Sequence, residues 1–154
     1  SVVRPAFFVN SGSATDREWD GIAGYIGGES VHILGRIANA SPRERQLYNT
    51  ARSGDFTYRF RLPSGRYILS LWFVENTFDA AGGRLFDVYV EDQKILDHYD
   101  IFAEVGRMAA VRKRFLVEVE DGEMDVRFQS NRDSARVCGI KIVQLMLSAG
   151  SVGN

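Results

Sequence analysis

The clearest pattern in the chain is a two-residue alternation of apolar and polar positions. In Phe56-Thr57-Tyr58-Arg59-Phe60-Arg61-Leu62 the apolar side chains fall at every second residue, which predicts a strand with one buried and one wet face. Pro63-Ser64-Gly65 follows as a turn, and Tyr67 to Val74 is apolar on both faces apart from Ser70. That second run predicts a central strand covered on both sides, and the pair predicts a hairpin over residues 56–74. Shorter runs at Phe7–Val9, Arg84–Val90, Arg114–Val119, Met124–Phe128 and Val137–Met146 complete the set, with a tight turn at Glu120-Asp121-Gly122-Glu123. No segment carries a helical period long enough for a crossover helix. The expected fold is all-β, an antiparallel β-sandwich of the jelly-roll type.

Residues 10–50 break the pattern. They are rich in Gly, Ser and charge with weak periodicity, so they predict a long irregular N-terminal loop region that carries function or wraps an edge of the sandwich. Within it, Gly24-Tyr25-Ile26-Gly27-Gly28 reads as turn glycines, since no strand or helix frames them as a phosphate loop. Ser41 before Pro42 suits the start of one helical turn at 42–45.

Composition narrows the function. With 154 residues, 45% hydrophobic and 25% charged, the chain is a single domain able to bury roughly 69% of its surface. The formal net charge of -1 gives no overall field toward nucleic acid or an anionic membrane. The single cysteine, Cys138, lies in an apolar run and reads as a small buried hydrophobe. The chain has no run of about 18 apolar residues to span a membrane, and because it starts at Ser1 it is expected to be a piece excised from a larger polypeptide.

Catalytic chemistry finds little support. Nucleophilic hydrolysis needs a Ser or Cys with a His base, yet no G-x-S-x-G elbow exists and the two histidines, His32 and His98, lie far apart. The same spacing argues against a metal site, so no metal and no cofactor are expected. His98, beside Asp97 and Asp100, reads as a solvated strand-end residue. Glu75, Asp79, Asp87 and Asp133 supply carboxylates, but a pair is easily found among 20 acids. More informative are aromatics in or beside loops: Trp19, Tyr25, Tyr48, Phe78 and Phe102. Most of them read as staples holding the long loop to the sandwich. The remainder suit a sugar, whose ring is apolar on its faces and polar on its rim.

An ordered set of short motifs resembles the malectin domain family over about residues 7–146. The motifs are Asn10-Ser11-Gly12, Trp19-Asp20 with Tyr25-Ile26-Gly27-Gly28, Tyr48-Asn49-Thr50-Ala51-Arg52, Phe56-Thr57-Tyr58, and Gly65 to Leu71. They continue with Phe73-Val74-Glu75, Arg84 to Val88, Asp100-Ile101-Phe102 and Val137 to Ile140. The resemblance implies a single carbohydrate-binding domain whose loops at one end of the sandwich hold a glucose disaccharide with four aromatics and one aspartate. Phe78 and Asp133 match two of those positions. Thr77, Ser53 and a residue near Val31 or His32 stand where the family has aromatics. At about 1 kcal/mol per aromatic contact, three losses weaken that disaccharide about a hundredfold or more. A different glycan is then the expected ligand, with Arg52, Glu75, His32 and Arg132 adding polar contacts.

Two functional classes follow. The first is a non-catalytic carbohydrate-binding module tethering a larger protein to an oligosaccharide or polysaccharide, outside the cell or in the secretory lumen. The second is a protein-interaction or spacer module, because the family also occurs on receptor kinases and kinesin motors, the latter cytosolic. Neither involves nucleic acid or membrane insertion. Asp87 is expected to form a partly buried ion pair with Arg52 or Arg84 that fixes a sheet edge.

Overall fold

A computed structural model describes residues 2–146. Ten strands are found there: β1 (Val2–Asn10), β2 (Ala23–His32), β3 (Thr50–Arg61), β4 (Gly65–Phe73), β5 (Leu85–Val90), β6 (Gln93–Tyr99), β7 (Val111–Val119), β8 (Glu123–Arg132), β9 (Arg136–Val137) and β10 (Gly139–Met146). One short helix, α1 (Ile101–Val105), follows β6, and a 3₁₀ turn spans Arg45–Asn49. Among the described residues no helix is long and apolar enough to cross a membrane.

The strands form two antiparallel sheets, one of four strands in the order β1-β10-β4-β7 and one of six in the order β2-β3-β8-β5-β6, with β9 paired to β3. The domain is therefore an antiparallel β-sandwich. Its main core lies between the sheets, where Phe56, Tyr58, Phe60 and Leu62 of the alternating run meet Tyr67, Leu69, Leu71 and Phe73. Each such side chain contributes about 1.5–3 kcal/mol on full burial.

The alternation fixed which faces point inward but not which strands pair. Instead of a hairpin, residues 56–74 form two strands in opposite sheets: β3 pairs with β2 and β8, and β4 with β10 and β7. The Pro63-Ser64-Gly65 turn is a corner that folds the chain over the core, and the Tyr67 hydroxyl locks it by donating to the Pro63 carbonyl at 2.6 Å. The Glu120–Glu123 turn makes a second corner, since β7 and β8 also belong to opposite sheets.

As the sequence predicts, β4 is covered on both sides. Its outer Trp72 and the following Val74 join Ile33, Leu47, Tyr48, Ala51, Ala110 and Cys138 in a second, smaller core. This cluster pins residues 33–49 against the sandwich, and Tyr48, 2% exposed, is its aromatic staple. Ser41 does receive the Glu44 N–H, on its carbonyl and its hydroxyl, to start a turn.

The irregular N-terminal region contains one strand that the sequence conceals. β2 is an edge strand with most of its side chains in solvent, so no apolar alternation marks it. Gly27 and Gly28, expected in a turn, form a bulge within it at φ 85° and 74°. At Gly28 a Cβ would lie 3.0 Å from the Ser53 carbonyl oxygen, so the bulge needs a residue without a side chain.

Candidate functional site

At the end of β4 the chain leaves the sheet through Val74 and Glu75, both buried. The Glu75 carboxylate turns it: Oε2 accepts the backbone N–H groups of Thr77 at 3.0 Å and Phe78 at 3.3 Å. The same carboxylate is gripped by Arg84, just before β5, with Nε 2.7 Å from Oε1 and Nη2 3.2 Å from Oε2. This is a bidentate pair with both partners almost wholly buried. Burial works to raise the Glu75 carboxyl, but the Arg84 guanidinium and the two amides outweigh it and hold it below its ordinary value.

Arg84 also reaches the opposite loop. Its Nη1 donates to Asp133 Oδ2 at 3.1 Å and to the Ser134 carbonyl at 2.6 Å. Asp133 sits in left-handed backbone at φ 56° and keeps 47% of its side-chain surface. Phe78, half-buried, has its ring centroid 5.4 Å from the same guanidinium and rests against Gly83. One buried arginine thus brings an aromatic ring and a solvent-facing carboxylate together at one end of the sandwich. Thr77 is exposed beside Phe78, its hydroxyl donating to Asn76 at 3.2 Å.

The other candidate residues lie progressively farther away. Ser53 is buried opposite Arg136 in the β3–β9 pair, one strand from the Asp133 loop. Arg52 is turned toward the first loop instead. Its Nε lies 3.0 Å from Asp16 Oδ2, its Nη1 bonds the Gly27 carbonyl, and its guanidinium stacks 3.4 Å above the Tyr25 ring. His32 is opposite Thr50 on β2, three positions from Ser53 along β3 or about 10 Å of strand. It borders a separate open pocket of about 260 Å³ with Asn10, Ser13, Gln46 and Asn49.

Asp87 is buried as a structural acid, but with other partners than expected. Arg52 and Arg84 are committed to Asp16 and Glu75, and Asp87 instead accepts the His98 N–H at 2.8 Å and faces Lys94 Nζ at 3.4 Å. The reason is the β5–β6 hairpin, which brings Lys94 and His98 alongside. Burial pushes the Asp87 carboxyl upward, while the His98 amide, Asn131 and Lys94 outweigh it and hold it low. Asp87, Asp97 and His98 place three possible ligand atoms within 4.8 Å of one another. The Lys94 ammonium, 3.4 Å from both carboxylates, supplies the positive charge there.

Sequence reasoning passed over Arg84, Arg136 and Asn76 as site residues. The signal was present in Arg84-Leu85-Phe86 and Arg136-Val137-Cys138, where an arginine directly precedes a buried apolar strand. Such a cation must either find a carboxylate or stay costly.

A family model, the malectin domain, matches residues 21–143. The chain belongs to the malectin domain family. Relatives include the rice (Oryza sativa subsp. japonica) kinesin-like protein KIN-14E, 38% identical over 77% of this chain, and mouse (Mus musculus) malectin, 29% identical over 59%. This malectin domain spans only 12% of that kinesin-like protein and 32% of mouse malectin. Among solved structures, the β-glucuronidase of Bacteroides uniformis superposes with a TM-score of 0.81 at 24% identity, over 94% of this chain and 18% of the enzyme. That likeness is one of fold.

Proposed function

We infer that this malectin domain is a non-catalytic module that binds an oligosaccharide or polysaccharide through the loops around Phe78 and Asp133. The observation that carries the reading is the pairing of a half-buried ring with a solvent-facing carboxylate, both held by buried Arg84. A ring of that kind stacks on the C–H face of a pyranose while the carboxylate accepts its hydroxyls. Thr77 flanks this centre at the surface, Glu75 positions it from beneath, buried Ser53 and Arg52 support β3 behind it, and His32 lies beyond them on β2. Both Glu75 oxygens are occupied and the group is held ionised, which makes it a poor general acid. Affinity electrophoresis through glucan, xylan and galactan gels tests the reading. Retardation on at least one gel, lost in Phe78→Ala and Asp133→Asn, is the expected result, and free migration of the wild type on every glycan overturns it.

A second reading, an interaction or spacer module in a larger polypeptide, is favoured by the rice kinesin-like relative, which is more similar over more of the chain than mouse malectin. A motor domain in the flanking sequence, together with no glycan retention, supports that reading instead.

A further inference from the structure

Three arginines besides Arg84 touch the segment that carries Phe78. Arg107 Nε donates to the Asn76 carbonyl at 3.3 Å, Arg132 Nη1 to the Gly82 carbonyl at 3.1 Å, and Arg136 Nη1 to the Asn76 side-chain oxygen. Among the described residues, Arg84 alone of the four lies within 4.0 Å of a carboxylate. Arg107 and Arg132 are exposed. Arg136 is only 6% exposed, and its Nε is buried with no acceptor. A buried guanidinium without an anion is expensive to keep, and burial together with the nearby Arg84 charge presses its proton affinity below that of an ordinary arginine. Asp100 offers these arginines no relief, because its carboxylate is taken by the N–H groups of Gly82 and Ala103.

The geometry points to an acidic saccharide, one bearing carboxylate or sulfate groups, as the ligand of this loop end. The inference rests on the glycan reading of the Phe78–Asp133 site and names its ligand class. Guanidinium forks left without carboxylates match planar or tetrahedral oxyanions in a way that a lysine would not. Arg132 and Asp133 are consecutive and both exposed, and Arg107 and Arg136 reach the same loop at Asn76, so this loop end offers guanidinium donors for an oxyanion together with a carboxylate that accepts hydroxyls.

Isothermal titration of the intact domain with oligogalacturonate, a sulfated galactan oligosaccharide and neutral galactan of equal length, at low and high NaCl, tests this. The expected result is at least tenfold tighter binding of one acidic glycan than of neutral galactan, with the gap narrowing as salt rises. The two acidic arms separate carboxylate from sulfate recognition. Arg136→Gln is expected to reduce the acidic-to-neutral ratio. Because that substitution disturbs a buried site, the exposed Arg132→Gln and Arg107→Gln are tested beside it and are expected to lower the same ratio. Equal affinity for neutral and acidic glycans overturns the inference while leaving the carbohydrate module intact. Binding to none of the three, combined with free migration on the glucan and xylan gels, overturns both.

Discussion

Arg84 and Asp133, 49 residues apart in sequence, meet at 3.1 Å between Nη1 and Oδ2, and the rest of the Arg84 fork closes on buried Glu75. The guanidinium is therefore both a structural and a positional group. One side satisfies a carboxylate that would otherwise be stranded beneath the sheet end, and the other orients a carboxylate in solvent.

Removing that cation strands Glu75. Arg84→Met is expected to lose about 3–5 kcal/mol, the usual consequence of leaving one partner of a buried pair uncompensated, measured by urea unfolding at pH 7. Glu75→Gln combined with Arg84→Met recovers part of the loss. The pH dependence follows from the lowered Glu75 carboxyl. A depressed folded-state value gives stability that is fully present above the ordinary value of 4.5 and is lost as pH falls through the lower folded value. Glu75→Gln should accordingly flatten the acid side of the Tm profile below pH 4.5, and an unchanged acid limb counts against the pair.

What the sequence disclosed was the inward face of each strand, because Phe56, Tyr58, Phe60 and Leu62 alternate with polar residues whatever the pairing. Pairing itself was hidden. Pro63-Ser64-Gly65 reads equally well as a hairpin turn or a corner, and only packing against Tyr67, Leu69 and Leu71 decides for the corner. β2 and β6 were hidden because they are the edges of the larger sheet and leave most side chains in water. Phe78 and Asp133 were legible through family motifs. Arg84 was legible as a cation before a buried strand, but its role in joining them was not, since its partners come from segments 9 and 49 residues away.

Cys138 should be chemically silent in the folded state. It is fully buried in the second core, and burial pushes its thiol up to about 12. At pH 8 almost no thiolate forms, and the thiolate is the nucleophile. Ellman's reagent is expected to react with it in unfolding concentrations of urea and not in buffer. Rapid stoichiometric reaction in buffer would show that the loop over Leu47 and Tyr48 opens readily.

Gly12 anchors the first loop where no side chain fits. Its φ is +78°, and a Cβ there would overlap the Ala51 carbonyl, which is backbone and cannot rotate away. Its N–H donates to Asp16 Oδ2 at 2.7 Å, the same oxygen that receives Arg52 and the Tyr58 hydroxyl. Gly12→Ala combines left-handed strain with loss of that network, and about 2–4 kcal/mol of destabilisation is expected. Calorimetry checks it: a change in Tm within the error of wild type refutes the close approach.

Gly83 separates the seating of the ring from the ring itself. Its backbone is not left-handed, so alanine is compatible with the chain, but a Cβ would come within 2.5 Å of Phe78 Cδ1 and Cγ. Those atoms belong to the base of the ring, and the whole side chain must shift to make room. Gly83→Ala should therefore weaken glycan binding by about fivefold, equivalent to one aromatic contact of about 1 kcal/mol, although alanine adds nothing that competes for a sugar hydroxyl. Because Phe78 is only half-buried, the accompanying loss of stability should stay below that of Gly12→Ala. If Gly83→Ala binds as wild type while Phe78→Ala does not, the ring contributes area without a fixed orientation. If both bind as wild type, Phe78 is a staple of its own loop and the sugar-stacking role fails.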